Sequence, residues 1–144
     1  MIYHQTTGKL TLDDGTEIPC VFYAGGNLGL VPTAVNNPAW QFVAMTGPLP
    51  QGWYTIQPRA SHPKLGPALY LVPDPSNEMK GRAEFLFHYC NPERDKGYTN
   101  TMLNRIIPAG RNSSEGCPAA TIPGSLDQVE KRRASGENRL QVVS

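Results

Sequence analysis

The chain lacks several features that would decide its class at once. No apolar run approaches the roughly 18 residues that a membrane-spanning helix needs, so membrane insertion is not expected. Charge of either sign is not in excess: 13 Lys and Arg face 12 Asp and Glu, and no basic stretch alternates with aromatics, which argues against a nucleic-acid partner. Cysteine is scarce and odd in number. Cys20, Cys90 and Cys117 have neither the spacing of a disulfide framework nor a C-x-x-C motif, and a single Cys20–Cys90 bridge is the one pairing left open. No paired-ligand spacing supports a zinc site built from His88, Cys90 and Cys117, and nothing in the chain calls for another cofactor. The opening Met1-Ile2-Tyr3-His4-Gln5 lacks the charged and apolar regions of a secretory leader. The expectation is a soluble product made in the cytoplasm, carried elsewhere only by something other than its own leader.

What the chain has in quantity is turn formers. Its 14 glycines and 14 prolines favour many short strands and long loops over a helical bundle. A length of 144 residues suits one domain, 1–144. Residues 9–12 alternate polar and apolar side chains, Asp13-Asp14-Gly15 is a turn, and residues 18–23 read as the second strand of a hairpin. Further strands are expected over 40–45, 53–56, 68–72 and 82–89, with loops over 58–66 and 73–77. Residues 91–112 form a polar, irregular stretch with a short helix expected near 100–106. Ser125-Leu126-Asp127-Gln128 reads as a capping box with Ser125 as N-cap, opening a helix over 126–134, and 139–143 is the last strand. About eight short strands with one or two helices make a mainly β fold, a β-sandwich or irregular barrel.

The chemistry concentrates at two residues. Cys117 follows Ser113-Ser114-Glu115-Gly116, and His88 ends the apolar run Phe85-Leu86-Phe87. Sulfur attacks a carbonyl as thiolate, and a neighbouring imidazole can supply that form. Glycine at 116 permits the sharp turn that would aim the Cys117 sulfur and its amide at one point, where the amide can stabilise an oxyanion. The Ser114 hydroxyl and carbonyl stand near enough in sequence to orient the imidazole. From these residues alone, a buried cysteine and an unrelated histidine is an equally good reading. Cys90 is a rival nucleophile without the glycine turn, and His62 reads as a solvated loop residue.

Four segments in order carry a resemblance. They are Tyr23-Ala24-Gly25; Gly47-Pro48-Leu49-Pro50-Gln51-Gly52-Trp53-Tyr54-Thr55-Ile56; Gly81-Arg82 ahead of Phe85-Leu86-Phe87-His88; and Ser114-Glu115-Gly116-Cys117. Together they resemble the L,D-transpeptidase catalytic-domain superfamily, and most closely its small effector branch delivered between bacteria by type VI secretion. The chain departs from that pattern at Tyr89, where a glycine is usual after the histidine, and at Pro118, where a hydrophobic residue usually follows the cysteine. Its stretch between His88 and Cys117 also looks longer, so 91–112 reads as an inserted lid or wall.

The resemblance implies an L,D-transpeptidase-like fold and a cysteine acyltransferase of peptidoglycan stem peptides. It implies attack at the bond between a diamino acid and D-alanine, giving carboxypeptidase action or D-amino acid exchange. Cys117 would be the nucleophile, His88 the base, and Ser114 and Gly116 would complete the catalytic turn. Arg82, at the matching position six residues before His88, would bind a substrate carboxylate, with Arg111 as a second candidate and Tyr54 and Tyr23 as candidate cleft walls. The same resemblance implies an antibacterial effector that acts in the periplasm of a target cell, with an immunity protein and a secretion carrier as partners. A housekeeping or phage-encoded wall enzyme of the same chemistry, or an inactive peptidoglycan-binding module, are the alternatives.

Overall fold

The computed structural model describes residues 1–27, 30–90, 98–100, 105–107 and 115–144. In chain order its elements are β1 (Ile2–His4), β2 (Lys9–Thr11), β3 (Phe22–Tyr23), β4 (Gly52–Ile56), β5 (Ala60–His62), β6 (Gly66–Pro73), β7 (Phe85–Tyr89), β8 (Tyr98–Asn100), β9 (Arg105–Ile107), β10 (Ala119–Ala120), α1 (Ser125–Ala134) and β11 (Arg139–Val143). Nine strands form one sheet in the order β2-β1-β11-β4-β6-β7-β10-β3, with β5 paired to β6, and β8–β9 form a separate pair. The two ends of the nine-stranded sheet approach one another, because the Phe22 N–H donates to Gly8 O at 2.8 Å beside β2. The result is a mainly β, nearly closed barrel-like sheet with one short helix.

Side-chain alternation decides which face each strand buries. Tyr54 and Ile56 of β4, and Leu140 and Val142 of β11, point inward, while their neighbours are more exposed. The central strand β7 is covered on both faces. Phe85 and Phe87 join the core with Leu69 and Leu71, whereas Leu86 and His88 point the other way. Tyr3, Phe22 and Phe87 pack edge-on or tilted with ring centroids 5.2–6.4 Å apart, which joins β1, β3 and β7 across the barrel. Helix α1 adds Leu126 and Val129 to the same core.

One internal turn is held by side chains instead of by the sheet. Pro48 and Pro50 carry no N–H, so residues 47–50 cannot pair as a strand. Each of the four carbonyls of that turn accepts from a buried side chain. Arg82 Nη2 donates to Gly47 O (2.9 Å) and Nη1 to Pro48 O (2.7 Å); Gln5 Nε2 donates to Leu49 O (2.7 Å), and the Tyr54 hydroxyl to Pro50 O (2.8 Å).

Several sequence expectations change. Residues 40–45 form no strand: a 3-10 turn at Pro38–Trp40, capped by Asn37 Oδ1, leads into turns that end at Met45 with φ +58°. The second hairpin strand shrinks to Phe22–Tyr23, and β2 instead takes β1, not foreseen as a strand, as its main partner. The loop expected over 58–66 contains β5, and the strand expected from residue 82 begins at Phe85, because Glu84 has φ +62°. Asn100 and residues 105–106 lie in β8 and β9, not in a helix, in keeping with the β-branched residues Thr99, Ile106 and Ile107. Helix α1 is present, but its N-cap is Gly124 at φ +84°; Ser125 is its first residue and donates to Ile122 O at 2.7 Å. Cys20 forms no disulfide and lies with its sulfur 3.4 Å from Val21 O. Eleven strands stand among the described residues where about eight were expected.

Phe87→Ala is expected to cost about 3–5 kcal/mol, since it removes the ring shared by β1, β3 and β7. The midpoint of urea unfolding checks this.

Candidate active site

Parallel pairing brings the two chemistry-bearing residues together. β10 runs parallel to β7 with Ala119 opposite His88, and the His88 N–H donates to Pro118 O at 3.3 Å. Carried two residues back, that register sets Cys117 opposite Leu86. Parallel neighbours need a crossover of a dozen residues or more. The 29 positions from His88 to Cys117 leave ample chain for that crossover. Cys117, His88, Leu86 and Tyr70 line one cleft of about 300 Å³ on the face of β6 and β7 that points away from the core. Cys117 also borders a second hollow of about 290 Å³, walled by Met45, Lys80 and Phe85, with Glu84 and Glu115 shared between the two.

Arg82 builds the turn ahead of Cys117. Besides the two carbonyls at Gly47 and Pro48, its guanidinium donates to Gln41 O (2.5 Å) and to Glu115 O (3.0 Å), and it stacks over the Phe85 ring at 4.9 Å. All four Nη hydrogens thus have carbonyl partners. Gly116 fits under this clasp with φ +134°; a Cβ there would run into Arg82 Nη2 and would lie 2.9 Å from Gly47 O. Gly25 approaches the same turn from the other side, where a Cβ would stand 2.6 Å from Thr46 O. The Gly47–Pro50 turn and the Glu115-Gly116 turn therefore meet at one guanidinium, with Gly25 packed against the first of them.

The thiol rests protonated. Burial pushes the Cys117 thiol up to about 11, against the smaller lowering effects of a hydrogen bond from the Leu86 backbone and the positive charge of Arg82, with Glu115 adding to the rise. The thiol donates weakly toward Glu84 O at 3.9 Å. Burial likewise lowers the pKa of Arg82, with the nearby Cys117 and Tyr54 acting in the opposite direction. His88 is wholly buried, and its Nδ1 lies 2.9 Å from Tyr89 O. A carbonyl only accepts, so Nδ1 carries the ring proton and Nε2 is the basic nitrogen. Among the described residues, the carbonyl of its own neighbour orients the imidazole, and Ser114, expected in that role, lies outside them. Tyr89, at the position where the resembling family has glycine, also takes the Leu126 N–H on its hydroxyl at 3.0 Å and so ties β7 to α1.

No protein-family model, no curated protein and no solved structure matches this chain.

The remaining expected site residues are dispersed. Tyr54 is buried in the core, its hydroxyl raised in pKa by that burial and engaged with Pro50 O and, at 3.4 Å, Met79 Sδ. Tyr23 pairs with Ala119 and borders a different hollow with Cys20 and Thr121. Trp53 is exposed beneath Arg139 at 5.4 Å. The Cys90 amide donates to Ala120 O at 2.9 Å, and its side chain is not part of the cleft lining among the described residues. Ser114, Arg111 and nearly all of the segment expected as a lid lie outside the described residues. No group of three or more His, Cys, Asp or Glu side chains among the described residues is arranged to hold a metal ion. Sequence reasoning missed His62 and Tyr70 as cleft residues. The alternation of β6 could have found Tyr70, since Ala68 and Tyr70 face the same way opposite His88 and Leu86.

Two outcomes are expected. Arg82→Met strips donors from four carbonyls at about 1–3 kcal/mol each where they stay dry, so it should lower stability by several kcal/mol; Arg82→Lys, with a point charge in place of a fork, should recover only part of it. Chemical denaturation of both variants checks this. Alkylation of Cys117 by iodoacetamide should be slow at pH 7 and climb with pH toward about 11. The native thiol holds its proton more tightly than the unfolded one at 9.0, so stability from this group is present below pH 9 and declines between pH 9 and about 11. Rates and melting curves against pH, compared with Cys117→Ala, check both signs.

Proposed function

We propose that this protein is a cysteine acyltransferase of peptidoglycan stem peptides, cutting between the L-centre of a diamino acid and a terminal D-alanine. The observation that carries the reading is that Cys117 and His88 line one cleft, with Cys117 on a glycine turn clasped by Arg82. Gly25, the Gly47–Pro50 turn, Arg82 and Gly116, one part of each segment that resembles the L,D-transpeptidase effector branch, lie against one another, which supports the choice of substrate class.

In this reading the thiol is activated during the reaction. His88 Nε2 takes the Sγ proton as sulfur attacks the peptide carbonyl. The oxyanion forms against the Cys117 amide in the turn after Gly116. The intermediate collapses, His88 returns the proton to the departing nitrogen, and D-alanine leaves a thioester on Cys117. Water then gives a trimmed tripeptide, a free D-amino acid gives exchange, and a stem amine gives a cross-link. Arg82 acts as a positioning residue through the carbonyls of Glu115 and Gly47. Trimming or exchange removes the tetrapeptide donors on which wall cross-linking depends, which suits an antibacterial effector working in a target periplasm, with an immunity protein as its natural inhibitor.

A second reading is a peptidoglycan-binding module without turnover, and the rise of the Cys117 thiol toward about 11 is what favours it.

Incubation with purified disaccharide tetrapeptide, read by mass spectrometry, separates the two. Loss of one alanine, or its replacement by an added D-amino acid, is expected with the parent protein, and Cys117→Ala should reduce the rate by at least about 10³-fold. Turnover that survives in Cys117→Ala would contradict the assignment of the nucleophile. Binding without turnover in a folded parent protein would favour the module.

A further inference from the structure

A second imidazole reaches the cleft. His62 ends β5, is half-buried, and lines the same cavity wall as Cys117 and His88. Its Nδ1 stands 3.1 Å from the Lys64 amide nitrogen and 3.1 Å from that of Leu65. An amide N–H only donates, so Nδ1 must present its lone pair and the proton of the neutral ring sits on Nε2. With Nδ1 turned into its own loop, the Nε2–H edge is the side of the ring left to face the cleft. The two imidazoles are therefore set with opposite polarity. His88 holds its proton on Nδ1 and offers a base; His62 holds its proton on Nε2 and offers a donor.

The remaining polar groups of the wall make that donor useful. Glu84 and Glu115 accept when ionised and do not donate. The Nη hydrogens of Arg82 already serve four carbonyls. Of the side chains lining this cleft, His62 and Tyr70 are the ones able to donate to a substrate oxygen. We infer that His62 is a substrate-binding residue whose Nε2–H donates to a carbonyl or carboxylate oxygen of the acyl donor lying against Cys117. This rests on the acyl-transfer reading for the identity of the donor, while the polarity of His62 follows from its loop alone.

Two measurements test it and keep it separate from that reading. NMR titration of the intact protein with N-acetyl-D-alanine, which carries an acyl carbonyl and a carboxylate, is expected to shift the His62 Nε2 resonance. An unmoved His62 imidazole overturns the inference whether or not the protein cuts wall peptides. The second measurement uses two variants and the disaccharide tetrapeptide. His62→Asn sets an amide oxygen where Nδ1 stood, so it can keep the Lys64 and Leu65 bonds while losing the far donor. His62→Gln sets an amide N–H near the place of Nε2 and lacks the near acceptor. KM should rise at least about tenfold in His62→Asn with folding stability retained, as for the loss of a hydrogen bond to a charged group. It should stay within a few-fold of the parent value in His62→Gln, even though that variant is less stable. The reverse order would mean that His62 only braces its own turn, and would overturn the inference. If the parent protein releases no D-alanine, the acyl-transfer reading fails and the titration still decides the part played by His62.

Discussion

The Arg82 guanidinium is the contact on which the site depends. It is a buried cation whose Nη hydrogens all point at main-chain carbonyls, from Gln41, Gly47, Pro48 and Glu115. Two of those carbonyls belong to a turn that prolines bar from the sheet. A third belongs to Glu115, two residues before Cys117. Arginine suits this task because its planar fork can address several acceptors at fixed angles, whereas an ammonium group is a single point charge. Gln5 and Tyr54 complete the set at Leu49 and Pro50, so residues from β4 and from the loops after β1 and before β7 meet in one hydrogen-bonded knot. Gly25 and Gly116 belong to the same arrangement, since a side chain at either place would collide with the turn or the clasp.

This framework bears on how the cysteine can react. A positive charge nearby helps a thiolate, but here burial outweighs it and the resting group is a thiol. In the proposed reaction, activation must then come with proton transfer, and the bond of Nδ1 to Tyr89 O leaves Nε2 as the basic nitrogen of His88. A protonated resting thiol also resists oxidation and stray alkylation. His62, which lines the same cleft, holds the reverse ring polarity.

The mainly β class was legible from turn formers and alternation, and β4, β6, β11 and α1 lie close to where pattern placed them. What misled were short-range signals overruled by partners distant in sequence. Residues 40–45 look like a strand, but Asn37 and Pro38 start a 3-10 turn ahead of them. Arg82 and His88 have an even offset, but the alternation does not extend back to Arg82, because Glu84 adopts a left-handed backbone. Arg82 reads as a substrate ligand from its matching position and the carboxylates of the implied substrate; nothing local reveals that four carbonyls converge on it from two loops. The Cys117–His88 pair was visible as motif, and its juxtaposition came from the parallel pairing of β10 with β7, a long-range choice that no window of sequence encodes. His62 was lost for the opposite reason: its importance lies in two hydrogen bonds within its own turn, which fix a tautomer and leave no trace in residue type.

The central claim is that Cys117 itself becomes acylated. The direct measurement is intact mass spectrometry of protein mixed briefly with disaccharide tetrapeptide and quenched in acid, followed by peptide mapping. The account predicts a transient adduct with the mass of the disaccharide tripeptide acyl group, confined to the peptide that contains Cys117 and released by hydroxylamine as a thioester should be. D-alanine release with no adduct at any time, or an adduct that maps to Cys90, would contradict it.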